Sequence, residues 1–224
     1  MIHFPPATEC MVFDLEAYVP NGDRRRKNGV SLAVNPYRPG HILLGGVFHI
    51  YRPLTGETVT DPAYTHEWLW DRKSEHDLVK EIYSLFSGMR ARAAGKKSYY
   101  AEPCLAGVGI VHFDLPYLTA KCIEHAVAPA DEIYDTMTKF RVIELTSAGI
   151  GYLPKQTPWL YPVSHNAMAD ALLPERENKP TGKVVWDMYD EKNFAGIAQR
   201  CEAEVKEIKG IAEKLQELST SQQP

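Results

Sequence analysis

The feature that most constrains the fold is a long amphipathic run near the C-terminus, over residues 191–218 (EKNFAGIAQRCEAEVKEIKGIAEKLQEL). Its apolar residues recur every three or four positions, which is the periodicity of one face of an α-helix. One carboxylate, Glu204, falls within this stripe, and a buried carboxylate is strongly destabilising unless a counterion pairs with it. The run therefore predicts a long helix whose inward face carries an acid that needs a partner. The stripe consists of Phe194, Ile197, Cys201, Glu204, Ile208, Ile211 and Leu215.

The rest of the chain predicts strands first and then strands that alternate with helices. This order is typical of an α/β domain with a mixed sheet, and we expect one domain over residues 1–218 and a disordered tail over residues 219–224. The predicted strands are residues 9–19, 30–37 and 41–53 and a strand within 98–111; the predicted helices are 73–94, 112–127, 165–173 and the final run, and 131–137 is interpreted as a short strand or turn.

Composition and charge exclude several classes of protein. The net charge of −4 rules out a global basic field that would attract nucleic acid, so such a ligand would depend on local groups or on bound metal ions. The four cysteines are far apart and form no CxxC pair, which is not a zinc or disulfide framework. No signal peptide and no long apolar span is recognisable, so we expect an intracellular protein with no membrane partner.

Two acids stand inside the first predicted strand. Asp14 and Glu16 are two positions apart, so in a strand they project from the same face, roughly 7 Å apart. Acids in an otherwise apolar strand repel each other, and a hard divalent cation such as Mg²⁺ or Mn²⁺ would relieve this repulsion. The alternative is a strand end that is simply exposed to solvent.

A third acid, Asp114, begins the predicted helix that follows an apolar strand. A carboxylate at this position either stabilises the N-terminus of the helix, worth about 1 kcal/mol, or serves as a metal ligand at the carboxyl end of the strand. The sequence leaves both interpretations open.

These motifs resemble a known family. The segment VFDLE, then HFDLPYL about 100 residues later, then an acid on a C-terminal helix, is similar to the DEDD superfamily of 3′–5′ exonucleases. The resemblance implies a ribonuclease H-like α/β fold, with a mixed five-stranded sheet flanked by helices. It further implies that Asp14, Glu16 and Asp114 belong to a set of four acids that binds two Mg²⁺ or Mn²⁺ ions, with Leu15 and Phe113 against the substrate. The substrate would be the 3′ end of single-stranded DNA or RNA.

The fourth acid has two candidates, because the chain resembles two branches of the superfamily. His165 and Asp170 match the His-x4-Asp pattern of one branch, although Pro174 would end that helix about one turn later. In the branch that resembles the exonuclease of family B DNA polymerases, Glu204 replaces the aspartate and Arg200 replaces a tyrosine. We favour Glu204, the one charge on the inward stripe, with Asp170 as the alternative ligand. Residues shared with the second branch are Thr181, Gly182, Val185, Trp186, Tyr189, Ile197, Cys201 and Val205.

Departures from the family pattern raise a rival function. Ala17 stands where the family usually has Thr, and Arg200 carries a permanent charge that cannot give up or take a proton. Arg200 can bind the scissile phosphate but cannot orient water as Tyr or His does, so His165 is the candidate for that role. Glu204 is also one methylene longer than aspartate. The rival hypothesis is a catalytically degenerate nuclease-fold protein that binds nucleic acid or acts as a scaffold.

Overall fold

A single mixed sheet forms the centre of the molecule. The computed structural model describes residues 4–24, 34–95, 102–153, 163–173 and 184–221, and the strands of these residues are ordered β3-β2-β1-β4-β5. β1 pairs antiparallel with β2 and parallel with β4, and β4 pairs parallel with β5. The predicted α/β fold with a mixed five-stranded sheet is therefore confirmed. The strands are β1 (Cys10–Tyr18), β2 (Ile42–Tyr51), β3 (Thr65–Trp68), β4 (Cys104–Gly107) and β5 (Arg141–Glu144).

Helices cover both faces of the sheet. One layer, built from α1 to α3, packs against one face, and a second layer, built from α4 to α7, packs against the other. Within the described residues, no helix is long and apolar enough to span a membrane. The helices are α1 (Glu75–Gly95), α2 (Asp114–Glu124), α3 (Ala130–Thr138), α4 (Leu145–Ala148), α5 (His165–Leu172), α6 (Val184–Asp190) and α7 (Phe194–Ser221).

The central strand β1 divides its side chains between the two layers. Met11 and Phe13 are fully buried under α1, whereas Cys10 and Val12 face α7. Each large apolar side chain that is removed from water in this way stabilises the fold by about 1.5–3 kcal/mol. Because alternate residues share a face, the same strand directs the predicted acids toward α7.

Two glycines of β2 allow neighbouring strands to approach closely beside the acids, Gly46 on the side of β1 and Gly45 on the side of β3. A Cβ atom on Gly46 would lie 2.4 Å from the carbonyl oxygen of Asp14, and Gly45 has a φ of +130°, which disfavours other residues. The register of the two strands shifts by one residue between Glu16 and Ala17. This bulge interrupts the regular pairing directly after Glu16, and the pairing resumes at Ala17.

Three segments differ from the predictions. Residues 131–137 were predicted as a strand or turn but form α3, because Ile133 and Met137 lie four positions apart and are buried together, and Pro129 precedes the first turn. Of the predicted strand at 30–37, residues 34–37 are not in a strand and the others lie outside the described residues. α7 continues to Ser221, so the first three residues of the segment predicted as a tail are helical.

Candidate functional site

One open cleft of about 480 Å³ lies at the carboxyl ends of β1 and β4. Residues from β1, α2, α5 and α7 line it, and eight of the residues that the sequence singles out are among them. The exception is Asp170. The lining consists of Asp14, Leu15, Glu16, Val108, Gly109, His112, Phe113, Asp114, His165, Arg200, Glu204 and Ile208.

The two acids of β1 lie on the side of the strand that faces α7. Ligand atoms of Asp14, Glu16 and Cys201 all lie within 4.8 Å of one another. The thiol of Cys201 donates to the Asp14 carboxylate at 3.5 Å and to its backbone oxygen at 3.4 Å. The alternative of an exposed strand end does not hold for Glu16, which is buried, while Asp14 is half-buried.

Asp114 completes the hydrogen bonding of β1 beyond the end of its parallel partner. β4 pairs with β1 only from Cys10 to Val12, so the backbone of Leu15 lies past that ladder. The Leu15 N–H donates to the Asp114 carboxylate at 3.0 Å, and this bond is buried. Asp114 is the first residue of α2 and also lines the cleft, so both interpretations of this acid from the sequence agree with its position.

Arg200 joins two of the acids. Its guanidinium donates to Glu16 at 2.6 Å and to Glu204 at 2.8 Å. The Arg200 side chain is 9% exposed, and the two carboxylate side chains are 10% and 16% exposed. Glu204, on the inward stripe of α7, therefore has Arg200 as its counterion one helical turn away, and it also lines the cleft.

The surroundings of Asp14 and Glu16 disfavour the ionised form of both carboxyl groups. Burial is the main cause that raises the pKa of Glu16 to about 8, and the Arg200 guanidinium opposes this shift. Burial, followed by the neighbouring carboxylates of Glu204, Glu16 and Asp114, raises the pKa of Asp14 well above its usual range. The site therefore contains more negative charge than its one arginine stabilises.

Asp114 is shifted in the same direction. Burial raises its pKa to about 7, and the backbone N–H of Leu15 opposes the shift. Glu144, at the end of β5, is one of the negative charges that contribute to it.

These shifts predict a stability that falls as the pH rises. Between the ordinary carboxyl values and about pH 8, the folded protein binds more protons at Glu16 and Asp114 than the unfolded chain does, so deprotonation favours unfolding. In EDTA we expect the free energy of unfolding to drop by about 6 kcal/mol from pH 5 to pH 8, with Glu16 and Asp114 both contributing. Urea unfolding curves at these two pH values measure the difference.

The Glu16→Gln variant is the matched control, since it removes one of the three carboxyl groups whose pKa is raised and should reduce this drop. An unfolding free energy that rises toward pH 8 contradicts the assignment of the shifts.

His165 and Asp170 of α5 point in different directions. His165 lines the cleft, and its Nε2 atom lies 2.8 Å from the carboxylate of Glu207 on α7. Asp170 is exposed and does not line the cleft. Five positions on a helix correspond to a rotation of about 140°, so one face of α5 does not bring both side chains to the cleft. Of the two candidates for the fourth acid, the structure brings Glu204 to the other three.

The sequence did not single out three groups around the cleft. Glu207 is a second buried acid on α7, which corrects the expectation of one charge on the inward side; its position, three after Glu204, was the available signal. Glu144 accepts from the backbone N–H groups of Gly109 and Val111 and so holds the turn before α2, but its segment has no clear periodicity. His112 is exposed at the rim and follows directly on that turn.

Trp186 and Tyr189, two residues that the chain shares with the branch resembling family B DNA polymerases, contact the end of β1 next to the cleft. The Trp186 indole N–H donates to the Ala17 carbonyl at 2.9 Å in a buried contact, and Tyr189 packs on Tyr18 with 4.7 Å between ring centroids. Both contacts fix the end of β1 that carries the acids. Thr181 and Gly182 of the same motif lie outside the described residues.

Comparison with solved structures identifies the fold. The family B DNA polymerase of the hyperthermophilic archaeon Pyrobaculum calidifontis matches over 96% of this chain, with a TM-score of 0.57 and 15% identity. The chain has an exonuclease-type fold. It spans 25% of the length of that polymerase, so the shared exonuclease-type fold is one unit of a longer protein there.

A weaker match is E. coli exonuclease I in complex with a dT13 oligonucleotide, with a TM-score of 0.44 and 10% identity over 96% of this chain and 42% of that one. Neither the protein-family models nor the curated proteins gave a match.

Proposed function

We propose that the protein is a metal-dependent 3′–5′ exonuclease that hydrolyses phosphodiester bonds from the 3′ end of single-stranded nucleic acid. The observation that carries the proposal is the convergence of four carboxylates, from β1, α2 and α7, on one open cleft. These elements are up to 190 residues apart in the sequence (Asp14 to Glu204), so their meeting is a property of the fold. Phosphodiester hydrolysis by divalent ions requires such a set of oxygen ligands.

The donor set fits a hard divalent ion. Carboxylate oxygens are the ligands that Mg²⁺ and Mn²⁺ prefer. Burial first, and neighbouring carboxylates second, raise the pKa values of Asp14, Glu16 and Asp114, so a cation at this position would stabilise their charged forms. Asp14, Glu16, Asp114 and Glu204 would hold the metal, two ions being the number that the family resemblance implies. A bound ion supplies an acidified water molecule and stabilises negative charge on the leaving oxygen.

The remaining groups of the cleft act on the substrate. Phe113 stacks against Tyr117, with 5.4 Å between ring centroids, and Leu15 lines the cleft between the two acids of β1. Together they provide the surface on which the terminal nucleoside would lie. His165 is the candidate for orienting the attacking water, because it lines the cleft opposite the acids of β1.

A second candidate function is a degenerate nuclease-fold protein that binds nucleic acid or serves as a scaffold. The ion pairs of Arg200 with Glu16 and Glu204 favour it, since they engage two of the four carboxylates without a metal.

An exonuclease assay separates the two candidates. Single-stranded DNA and RNA of the same sequence, labelled at the 5′ end, are incubated with the protein and Mg²⁺, Mn²⁺ or EDTA. An exonuclease gives a ladder of shortened products with Mg²⁺ or Mn²⁺ and none with EDTA. The polymer that is shortened more rapidly is the preferred substrate. Uncut substrate in all lanes favours the scaffold.

Glu207 is expected to position His165. The Glu207→Gln variant keeps the size of the side chain but loses the charge that holds the imidazole, which lies 2.8 Å away. We expect kcat to fall by about tenfold to a hundredfold and KM to change little, since general acid–base groups contribute at least this much. The alkaline and acidic limbs of the pH–rate profile should also move, which a loss of folding alone does not cause.

The matched control is Glu202→Gln, because Glu202 lies on the same helix as Glu207 and also pairs with a histidine, His66 of β3, but does not line the cleft. Equal kcat values for the Glu207→Gln variant and the wild-type protein contradict this role.

A further inference from the structure

Arg200 occupies the position of a counterion between two carboxylates of the cleft. Its two terminal nitrogens lie 2.6 Å from Glu16 and 2.8 Å from Glu204, one contact for each acid. A guanidinium does not lose its proton at any accessible pH, so this positive charge is permanent. The spacing of four residues on α7 holds Arg200 next to Glu204 in the folded chain.

The other half of the cleft contains no such cation. In the described part of the chain, Asp14 and Asp114 make no salt bridge; Asp14 accepts from the thiol of Cys201, and Asp114 accepts from the Leu15 N–H. Neither donor carries a charge. Among the described residues, Glu16 and Glu204 therefore have a direct ion pair with a cation, whereas Asp14 and Asp114 do not.

We propose that the Arg200 guanidinium takes the place of one of two divalent ions, so that the cleft binds a single divalent ion on the side of Asp14 and Asp114. This inference rests on the proposed metal-dependent function and changes the number of ions that the family resemblance implies. A second dication bound to Glu16 and Glu204 would have to lie next to the guanidinium, and both charges would be positive.

The balance of charge agrees with one ion. Four ionised carboxylates and one guanidinium leave three negative charges in the cleft, and one divalent ion reduces this to one. Two divalent ions would make the cleft positive. Arg200 also lines the cleft, so its charge lies where an ion would bind.

Counting bound ions tests the inference without reference to activity. Metal-free full-length protein is titrated with Mn²⁺, and the free ion is measured from its electron paramagnetic resonance signal. We expect one Mn²⁺ per chain for the wild-type protein and two for Arg200→Met, which frees Glu16 and Glu204. Arg200→Lys keeps a positive charge and should bind one.

The matched control is Arg24→Met. Arg24 also bridges two carboxylates, those of Asp187 and Asp190, but it lies outside the lining of the cleft, so this variant should still bind one ion. Circular dichroism establishes that each variant is folded. If Arg200→Met does not fold, Arg200→Gln replaces it, because its amide is also neutral and still donates a hydrogen bond to a carboxylate.

The outcomes separate this inference from the proposed function. Two ions on the wild-type protein overturn the inference and leave the metal-dependent exonuclease standing. One ion on both the wild-type protein and the neutral Arg200 variant removes Arg200 as the cause and overturns the inference as well. No ion on the wild-type protein overturns the metal-dependent function together with the inference.

Discussion

Asp14→Ala is expected to reduce metal-dependent shortening of a single-stranded substrate by about a thousandfold. Asp14 projects from the central strand into the cleft, and three other carboxylates act on it electrostatically. Its removal takes away a ligand on the side of the cleft that has no internal cation. The same change relieves charge repulsion, so the free energy of unfolding in EDTA should stay the same or increase. Initial rates from the gel assay and urea unfolding curves measure the two effects.

Asp170→Ala is the matched comparison for that experiment. The Asp170 carboxylate is exposed on α5 and does not line the cleft, so this variant should retain the wild-type rate within about twofold. The opposite result, loss of shortening in Asp170→Ala with full activity in Asp14→Ala, supports the His-x4-Asp alternative and contradicts the site described above. Metal-dependent activity that persists in pure Asp14→Ala protein would show that the reaction does not require Asp14.

Arg200→Met is expected to destabilise the metal-free protein by about 3 kcal/mol at pH 9, above the pKa of Glu16, because it leaves the carboxylates of Glu16 and Glu204 without their counterion. The loss should be smaller at pH 5. The pKa of Glu16 is already raised to about 8 by burial, and without the guanidinium that opposes the shift it rises further, so at pH 5 the acid is protonated and needs no partner. Urea unfolding at the two pH values measures the loss.

Arg24 provides the control. The acids that it bridges, Asp187 and Asp190, are 69% and 35% exposed, so Arg24→Met leaves no buried carboxylate without a counterion and should cost less than Arg200→Met at the higher pH. Saturating Mn²⁺ should restore part of the stability of Arg200→Met, since the freed carboxylates then bind an ion in the folded state only. If the two arginine variants lose the same free energy of unfolding, the ion pairs of Arg200 stabilise the fold no more than those of Arg24.

Much of the site follows from local pattern. The two-residue spacing of Asp14 and Glu16 places them on one face of any strand, and an acid at the start of a helix after a strand, such as Asp114, lies at the edge of the sheet where that strand ends. The apolar stripe of the last helix correctly placed Glu204 on its inward side. These inferences depend on periodicities of two and 3.6 residues, which the sequence shows directly.

Contacts between distant segments do not follow from such patterns. In the sequence, His165 and Asp170 fit one His-x4-Asp motif. The orientation of α5 brings only the histidine to the cleft. Glu207 is an acid on the buried side of α7. Only the packing of α5 on α7 shows that it lies beside His165. Residues 131–137 form a helix because burial of Ile133 and Met137 outweighs a local pattern too short to decide.

The sequence by itself determined the layered α/β fold, the strand that carries two acids and the long helix that carries Glu204 on its inward side. Hydrophobic periodicity is enough for that, because it fixes which side of each element is buried. The tertiary structure alone decided the partner of each charge. Whether Glu204 faces a metal or an arginine depends on the distance between Arg200 on α7 and Glu16 on β1, which are 184 positions apart in the chain. Charges separated in this way interact only after the helix has packed on the sheet, so no local pattern records their pairing.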